Sequence, residues 1–198
     1  MIEFKNLSNE TPYLILKEKY DESLKANQQN IEAISISSYS DESKEVNARY
    51  VNLKFVDDKK FIFFSNYLSP KSKEFNNHNQ ITALIYWNSI NIQIRIKALI
   101  EKTSKDFNQS YFAKRDKQKN ALAICSEQSL PIGSYKLLQS KYEESLKNNN
   151  LEECPDYWGG YSFVPFYFEF WEGHESRINK REVYELQSGK WIKSFLQA

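Results

Sequence analysis

The sequence predicts a mainly β domain with helices, of the α+β class, in which antiparallel strands form a closed barrel. Segments with period-two hydrophobicity recur along most of the chain and are separated by turn-forming residues. Helical segments interrupt them without the regular strand-helix alternation of a parallel sheet. The chain has 198 residues, of which 40% are hydrophobic and 15% aromatic. This is enough to bury one core, so we expect a single domain over residues 1–198.

The first half of the chain is predicted to contain a helix, three strands and a second, short helix. Thr11-Pro12 is typical of an N-cap followed by proline, and apolar residues at helical spacing then continue to a stop before Asn27. Period-two segments predict strands at 33–37, 48–56 and 60–65, the last two joined by a turn at Asp57-Asp58. Ser69-Pro70 repeats the cap-and-proline pattern and predicts a short helix through Phe75.

The second half begins with two strands and ends with a hairpin. The clearest alternation in the chain runs over 90–97, where four isoleucines alternate with polar residues. The remaining predicted elements are a strand at 81–87, helices within 104–147 with a break at 130–133, a turn at 157–160, a strand at 161–171, and strands at 182–186 and 191–196. We expect roughly seven strands in all, and the two segments after residue 180 form a closing hairpin.

Composition and charge exclude several classes of function. The formal net charge is +1, so no broad electrostatic field draws the chain to nucleic acid or to a membrane surface. Cys125 and Cys154 provide neither a disulfide framework nor the spacing of metal ligands. They suit a reducing cytoplasm, and the N-terminus lacks the pattern of a secretion signal. All five glycines follow residue 132, which excludes a glycine-rich phosphate loop before that point.

The start of the Ser69-Pro70 helix is a candidate phosphate site. A helix N-terminus offers unpaired N–H groups, and Ser65, Ser69 and Lys71 lie around it, with Arg49 as a further cation. From spacing alone, solvated strand faces and an ordinary helix cap explain these residues better. No nucleophile-base pair or metal-ligand cluster is visible, so we expect a cofactor to supply any redox chemistry.

Seven short motifs follow one another between residue 49 and the C-terminus. They are Arg49-Tyr50-Val51-Asn52-Leu53-Lys54, Phe64-Ser65-Asn66 with Ser69-Pro70-Lys71, Ile92-Gln93-Ile94-Arg95, Tyr111-Phe112 with Arg115, Gln128-Ser129, Tyr157-Trp158-Gly159-Gly160-Tyr161, and Phe170-Trp171 with Arg177 and Arg181. In order and spacing the chain resembles the pyridoxamine 5′-phosphate oxidase family. That family has an FMN-binding split β-barrel fold and acts as a homodimer.

The resemblance implies that FMN binds at the subunit interface and oxidises pyridoxamine or pyridoxine 5′-phosphate to pyridoxal 5′-phosphate. Hydride would pass to flavin N5, and O₂ would reoxidise the flavin to give H₂O₂. The residues implied to bind FMN are Arg49, Lys54, Phe64, Ser65, Lys71, Gln93, Gln128, Ser129, Trp171 and Arg181. Those implied to bind the substrate are Lys54, Tyr111, Arg115, Lys119, Arg177 and Asn179. Arg177 is the implied catalytic residue, lying over the substrate ring.

Five residues depart from the family pattern, and two of them, Phe195 and Ala198, replace an arginine and a proline near the C-terminus. Pro70 stands in place of an arginine, Lys119 in place of a serine and Asn179 in place of a histidine. Two other hypotheses therefore stay open. One is a flavin-dependent oxidoreductase of the same superfamily with a different substrate. The other is a non-catalytic split barrel that binds flavin.

Overall fold

The ten strands of the protein form one curled sheet, and five helices pack around it. A computed structural model describes all 198 residues. The strands are β1 Glu3–Lys5, β2 Ala33–Ser40, β3 Glu45–Asn52, β4 Phe55–Asp57, β5 Lys60–Asn66, β6 Gln80–Trp87, β7 Ile92–Lys102, β8 Trp158–Glu172, β9 Lys180–Gln187 and β10 Lys190–Phe195. The helices are α1 Thr11–Lys25, α2 Pro70–Asn77, α3 Lys105–Lys114, α4 Lys117–Cys125 and α5 Tyr135–Asn148. No helix combines the length and the apolar character needed to cross a bilayer.

The long strand β8 divides the sheet. The hydrogen-bonded order is β1-β4-β5-β8-β7-β6-β2-β3, and β9 and β10 extend from β8. The first part of β8 pairs with β5 and its last part pairs with β9, while β7 lies along its other edge. The predicted α+β split barrel is confirmed. The strands pair antiparallel as predicted, except that the short β1 pairs with β4 in parallel. The prediction that the barrel is closed is wrong, because no ladder joins β1 to β3.

The barrel interior is built by the alternation seen in the sequence. On β7, Ile94 and Ile96 are fully buried, whereas Gln93 and Arg95 point to the opposite face and stay half-buried. Burying such a side chain contributes about 1.5–3 kcal/mol to stability, so this pattern determines which face of β7 is turned toward the core. Polar residues of β7 and β8 are thus placed together on the outer face of the sheet.

Two predicted boundaries are wrong for local reasons. The first helix begins at Thr11 with Glu10 as its N-cap, so Thr11 is not the cap. The predicted strand 48–56 is two strands, β3 and β4, separated at Leu53-Lys54. There the backbone N–H of Leu53 donates to the Glu32 carbonyl, and that of Lys54 donates to the Ile62 carbonyl. The chain therefore leaves β2 at this point and joins β5.

The predicted turn at residues 157–160 is also wrong beyond Tyr157, because Gly159 and Gly160 belong to β8. The glycines permit close packing here. A Cβ at Gly159 would lie 2.2 Å from the Tyr67 hydroxyl, and one at Gly160 would lie 2.5 Å from Thr103 Oγ1. Neither glycine has a positive φ, so they serve a close approach of side chains to a strand.

Candidate active site

The site residues predicted from the sequence fall into three groups in the structure. One group surrounds Lys71 at the end of β5, a second lies between β5 and helices α3 and α4, and a third lies on β7, β8 and β9. The first contains Arg49, Ser65, Lys71 and Gln128; the second Lys54, Phe64, Tyr111, Arg115 and Lys119; the third Gln93, Trp171 and Arg181, followed by Arg177 and Asn179.

The first group is a cradle of polar side chains around a buried ammonium. Lys71 lies in the first turn of α2, and its side-chain Nζ donates to Ser65 Oγ at 3.1 Å, Ser69 Oγ at 3.0 Å and Gln128 Oε1 at 3.2 Å. Proline at the start of α2 sets the helix direction, and β5 and the loop after α4 supply the other partners. We call Ser65, Ser69, Lys71 and Gln128 the Lys71 cradle.

Arg49 stands beside this cradle but is already paired. Its Nη1 donates to Ser38 Oγ at 2.5 Å and its Nη2 donates to Glu74 Oε2 at 2.9 Å. Glu74 is buried on α2, and its Oε1 also accepts from Asn47 at 3.0 Å. The ion pair with Glu74 balances Arg49, whereas every hydrogen-bond partner of Lys71 is neutral.

The Lys71 cradle therefore has a positive charge without a bonded counter-ion. Burial, together with the nearby charge of Arg49, lowers the pKa of Lys71 to about 8 against the opposing charge of Glu74. Bringing a dianion to the cradle would supply the missing charge and replace neutral acceptors by strong ones. The residues present thus fit a phosphate group at the start of α2.

The second group is an aromatic stack with cations at its edge. The Phe64 ring stacks on Tyr111 at 3.8 Å between centroids and on Trp158 at 5.1 Å. The Arg115 guanidinium lies 5.0 Å from the Trp158 ring centroid, and its Nη1 donates to Asn120 Oδ1 at 2.8 Å. Arg115 is thus held by two contacts, one with the ring of Trp158 in the stack and one with Asn120 of α4.

A cavity of about 200 Å³ connects the Lys71 cradle with this second group. It is lined by Phe64, Ser65, Asn66, Arg115, Lys119, Leu122, Ala123, Ser126, Gln128 and Trp158. Lys54 lies within the electrostatic influence of the same cations. Burial lowers the pKa of Lys54, the charge of Glu32 opposes this, and the charges of Lys119 and Arg115 lower the pKa further. Three cations therefore share one neighbourhood, which favours an anionic ligand next to the Lys71 cradle.

The third group is a row across three strands. Gln93 of β7 lies opposite Trp171 of β8, and Trp171 lies opposite Arg181 of β9. Since Ile92 and Ile94 face the core, this row is on the outer face of the sheet. In the turn that follows β8, Arg177 is exposed with φ of 61°, and Asn179 Oδ1 accepts from the backbone N–H of His174 at 3.0 Å.

Within one chain, the third group lies far along β8 from the position where Ser65 of the first group pairs with this strand. Ser65 pairs with Gly159, whereas Gln93 pairs with Trp171, twelve residues further along β8. At roughly 3.3 Å per residue, the strand path between them is about 40 Å. The structure therefore brings the first two groups together at one cavity and leaves the third apart from them in the same chain.

Several contacts were not predicted from the sequence. Glu74 and Glu169 are buried carboxylates that bind predicted arginines, although no carboxylate stood out in the sequence. Their only signal was position on a predicted strand or helix beside cations. Conversely, Ser129 is exposed with φ of 71° and makes no side-chain hydrogen bond to the Lys71 cradle, so its role stays a prediction.

A curled sheet split along β8, with a cationic cradle at one end, defines a split-barrel protein with a site for an anionic group. Residues 17–148 match the family model described as pyridoxamine 5′-phosphate oxidase. Residues 158–198 match the model described as pyridoxine 5′-phosphate oxidase C-terminal dimerisation region. The chain belongs to the pyridoxamine 5′-phosphate oxidase family.

Curated relatives carry the same family name. A pyridoxine/pyridoxamine 5′-phosphate oxidase of Vesicomyosocius okutanii is 36% identical over 163 residues, which is 81% of this chain and 77% of the relative. One of Rippkaea orientalis is 38% identical over 157 residues, covering 78% of this chain and 74% of the relative.

Solved structures share the fold. PhzG from Burkholderia lata, in complex with tetrahydrophenazine-1-carboxylic acid, superposes with a TM-score of 0.89 at 22% identity, covering 94% of this chain and 92% of PhzG. A pyridoxamine 5′-phosphate oxidase-related, FMN-binding protein from Nostoc punctiforme gives a TM-score of 0.78 at 10% identity, covering 96% and 99% of the two chains. At these identities the likeness shows the fold alone.

Proposed function

We propose that this protein catalyses the FMN-dependent oxidation of pyridoxamine or pyridoxine 5′-phosphate to pyridoxal 5′-phosphate, with O₂ as electron acceptor and H₂O₂ as product. The observation that carries this proposal is that two cationic sites adjoin one cavity. The Lys71 cradle reaches it through Ser65 and Gln128, and Arg115 and Lys119 line it with Lys54 nearby. A reaction between a phosphorylated cofactor and a phosphorylated substrate needs two such sites. The named relatives support the same reaction.

The chain's own residues would bind and orient FMN. The Lys71 cradle would hold the phosphate, with Arg49 and Ser129 nearby and Phe64 beside it. Lys54 and the residues Gln93, Trp171 and Arg181 would orient the ring system. When bound, FMN supplies the redox chemistry, accepting a hydride from the substrate and passing the electrons to O₂.

The second group would bind the substrate by its phosphate. Lys54, Arg115 and Lys119 provide three positive charges, and the Tyr111 hydroxyl is available because it makes no hydrogen bond within the chain. A dianionic phosphate fits this charge better than a neutral alcohol or amine would. Arg177 and Asn179 would lie over the substrate ring, where Arg177 orients the reacting carbon.

We infer that each site is completed by a second copy of the chain. The row of Gln93, Trp171 and Arg181 lies twelve residues along β8 from Gly159, the pairing partner of Ser65, and does not line the cavity beside the Lys71 cradle. The segment that matches the dimerisation-region model, residues 158–198, contains Trp171, Arg177 and Arg181. In a homodimer, one protomer would hold the phosphate and its partner would supply the ring contacts.

Mixing two variants tests this shared site, at an FMN concentration that saturates the wild-type protein and leaves each variant largely without cofactor. After subunit exchange between Lys71→Met and Arg181→Ala dimers, we expect about one quarter of the wild-type sites to recover activity, since half of randomly mixed dimers are hybrids with one intact site. Either variant mixed with itself is the control. If both residues served FMN from the same chain, the mixture would stay as inactive as its parents.

FMN affinity is expected to depend on pH through Lys71. Its pKa in the folded protein, about 8, lies below the ordinary value of 10.5, so the ammonium form is lost as the pH rises above 8. The dissociation constant for FMN should be constant between pH 7 and 8 and rise above pH 8, by up to about tenfold per unit. Riboflavin, which lacks the phosphate, should show no such rise in a fluorescence titration, and neither should FMN with Lys71→Met.

The same depressed pKa affects the apoprotein in the opposite sense. Between pH 8 and 10.5 the unfolded chain holds a proton on Lys71 that the folded chain has released. The free energy of unfolding of the apoprotein should therefore gain a contribution from Lys71 as the pH rises through this window. Affinity for FMN falls there, so the two measurements have opposite signs.

Turnover assays test the proposed reaction. Holoprotein should produce H₂O₂ with pyridoxamine or pyridoxine 5′-phosphate and far less with unphosphorylated pyridoxine. A different substrate is the second candidate, because Lys119 and Asn179 alter the predicted substrate group and the PhzG structure holds a carboxylic acid. Yellow protein inert to both B6 phosphates would favour that candidate.

Both cysteines are free thiols, which supports the cytoplasmic location that we propose.

A further inference from the structure

Glu169 is a buried carboxylate on the outer face of the sheet, and it is bound from both sides by arginines. Its Oε1 accepts from Arg181 Nε at 2.8 Å, and Arg181 Nη2 forms an ion pair with the same oxygen at 2.8 Å. Its Oε2 accepts from Arg95 Nε at 2.9 Å, from Arg95 Nη2 and from the Tyr167 hydroxyl at 3.0 Å. Each carboxylate oxygen thus belongs to a different arginine, and Tyr167 adds a third support.

The cluster carries an excess positive charge directed outward. Burial by itself raises the pKa of Glu169, but hydrogen bonds from Arg181, Arg95 and Tyr167 outweigh this and lower it, so the carboxylate stays ionised at neutral pH. Two guanidinium groups then face one negative charge. The Glu169 side chain is 3% exposed, whereas those of Arg95 and Arg181 are 37% and 29% exposed. Arg181 Nη1 also donates to the Gln197 carbonyl at 3.1 Å, and both guanidinium groups stay partly accessible on this face.

The position of the cluster connects it with the row of predicted ring contacts. Glu169 precedes Trp171 by two residues on β8, so both side chains lie on the same face. Arg181 is opposite Trp171 in the strand pairing, yet its guanidinium is bound to Glu169 in the neighbouring row. Glu169 thus holds Nε and Nη2 of Arg181, and the Gln197 carbonyl accepts from its Nη1.

We propose that Glu169 is a positioning residue that holds the Arg181 guanidinium against the flavin ring, with Arg95 and Tyr167 fixing the other carboxylate oxygen. The proposal rests on the proposed function, since Arg181 touches flavin only if FMN binds here. A buried ion pair is weak support for stability, because apolar residues of similar size often serve as well. Orientation of a ligand-binding arginine is a role that apolar residues would not replace.

Glu182 offers a matched control. It is also buried, is bound by Lys193 at 2.8 Å and Lys180 at 3.4 Å, and accepts from the Tyr184 hydroxyl at 2.5 Å. It follows Arg181 in β9 but lies on the opposite face of the sheet. Loss of its charge disturbs a similar network without changing the support of Arg181.

The test titrates apoprotein with FMN and with riboflavin. Glu169→Gln should lose about tenfold in affinity for both flavins, as expected when a residue that orients a ligand group is lost. The ratio of the two affinities should stay at the wild-type value, because the Lys71 cradle is intact. Glu182→Gln should bind both flavins like wild type, although both variants lower the unfolding temperature.

Other outcomes overturn the proposal. Equal affinities in the two glutamine variants, loss of FMN affinity alone, or dissociation of the Glu169→Gln dimer in sedimentation would each assign Glu169 a different role. Should Glu169→Gln not fold, Tyr167→Phe carries the test: a smaller loss for both flavins supports positioning, and unchanged affinities contradict it. If the wild-type protein binds neither flavin, the proposed function itself is contradicted, because FMN is then not its cofactor.

Discussion

Replacing Lys71 by methionine is expected to weaken FMN binding by roughly 10- to 100-fold, since a hydrogen bond to a charged group contributes about 1.5–3 kcal/mol. Lys71 donates to three neutral acceptors and has no bonded carboxylate, so its charge is available to a phosphate. Methionine fills similar space and removes the buried charge. The apoprotein should therefore keep its fold. A fluorescence titration of the apoprotein with FMN measures the loss.

Lys73→Met is the matched control for this substitution. Lys73 lies on the same helix, two residues further on, but its side chain is exposed and outside the Lys71 cradle. It should bind FMN like wild type. Riboflavin affinity should be the same in all three proteins. Wild-type FMN affinity in Lys71→Met would show that the phosphate binds elsewhere.

Replacing Arg177 by alanine is expected to slow flavin reduction by the substrate about 100-fold, the order of loss that follows from misplacing a reacting group. FMN affinity should hardly change. Arg177 is exposed in the turn after β8, and its side chain makes no hydrogen bond within the chain, so it is free to meet a substrate. Alanine is chosen because it meets the positive φ of 61° at about the same cost as arginine, so the turn should be unchanged. Glycine would also make the turn more flexible.

Anaerobic rapid mixing measures the rate of flavin reduction, and a titration measures retention of FMN. Glu175→Ala, an exposed change in the same turn, is the control and should reduce at the wild-type rate. Comparable losses of reduction rate and FMN affinity in Arg177→Ala would contradict an orienting role and indicate that Arg177 binds the cofactor.

The regular strands could be predicted from the sequence because burial enforces their alternation. The β7 pattern of isoleucine and polar residues gave the correct inner and outer faces. Strand β1 was missed, because three residues carry no usable period, and it is held by parallel pairing to β4. Gly159 and Gly160 were read as a turn, because glycines that admit a close contact look the same in sequence as glycines that bend the chain.

The site was predictable only in part, because its contacts join residues far apart in the chain. Ser65 and Lys71 were recognisable around a helix start, but Gln128 enters from a loop after α4. Gln128 was predicted only from the resemblance to a family. Glu169 could not be found, since a carboxylate on the polar face of a strand looks solvated until the pairing places Arg95 and Arg181 on either side of it.

Anaerobic reduction of the holoprotein tests most directly the claim that two cationic sites on one cavity bring a phosphorylated cofactor and a phosphorylated substrate together. The purified protein, loaded with FMN, is mixed without O₂ with pyridoxine 5′-phosphate or pyridoxamine 5′-phosphate. We expect the flavin absorption to bleach with at least one of them and to return when O₂ is admitted. Flavin that stays oxidised with both compounds, in protein that has bound FMN, would contradict the account.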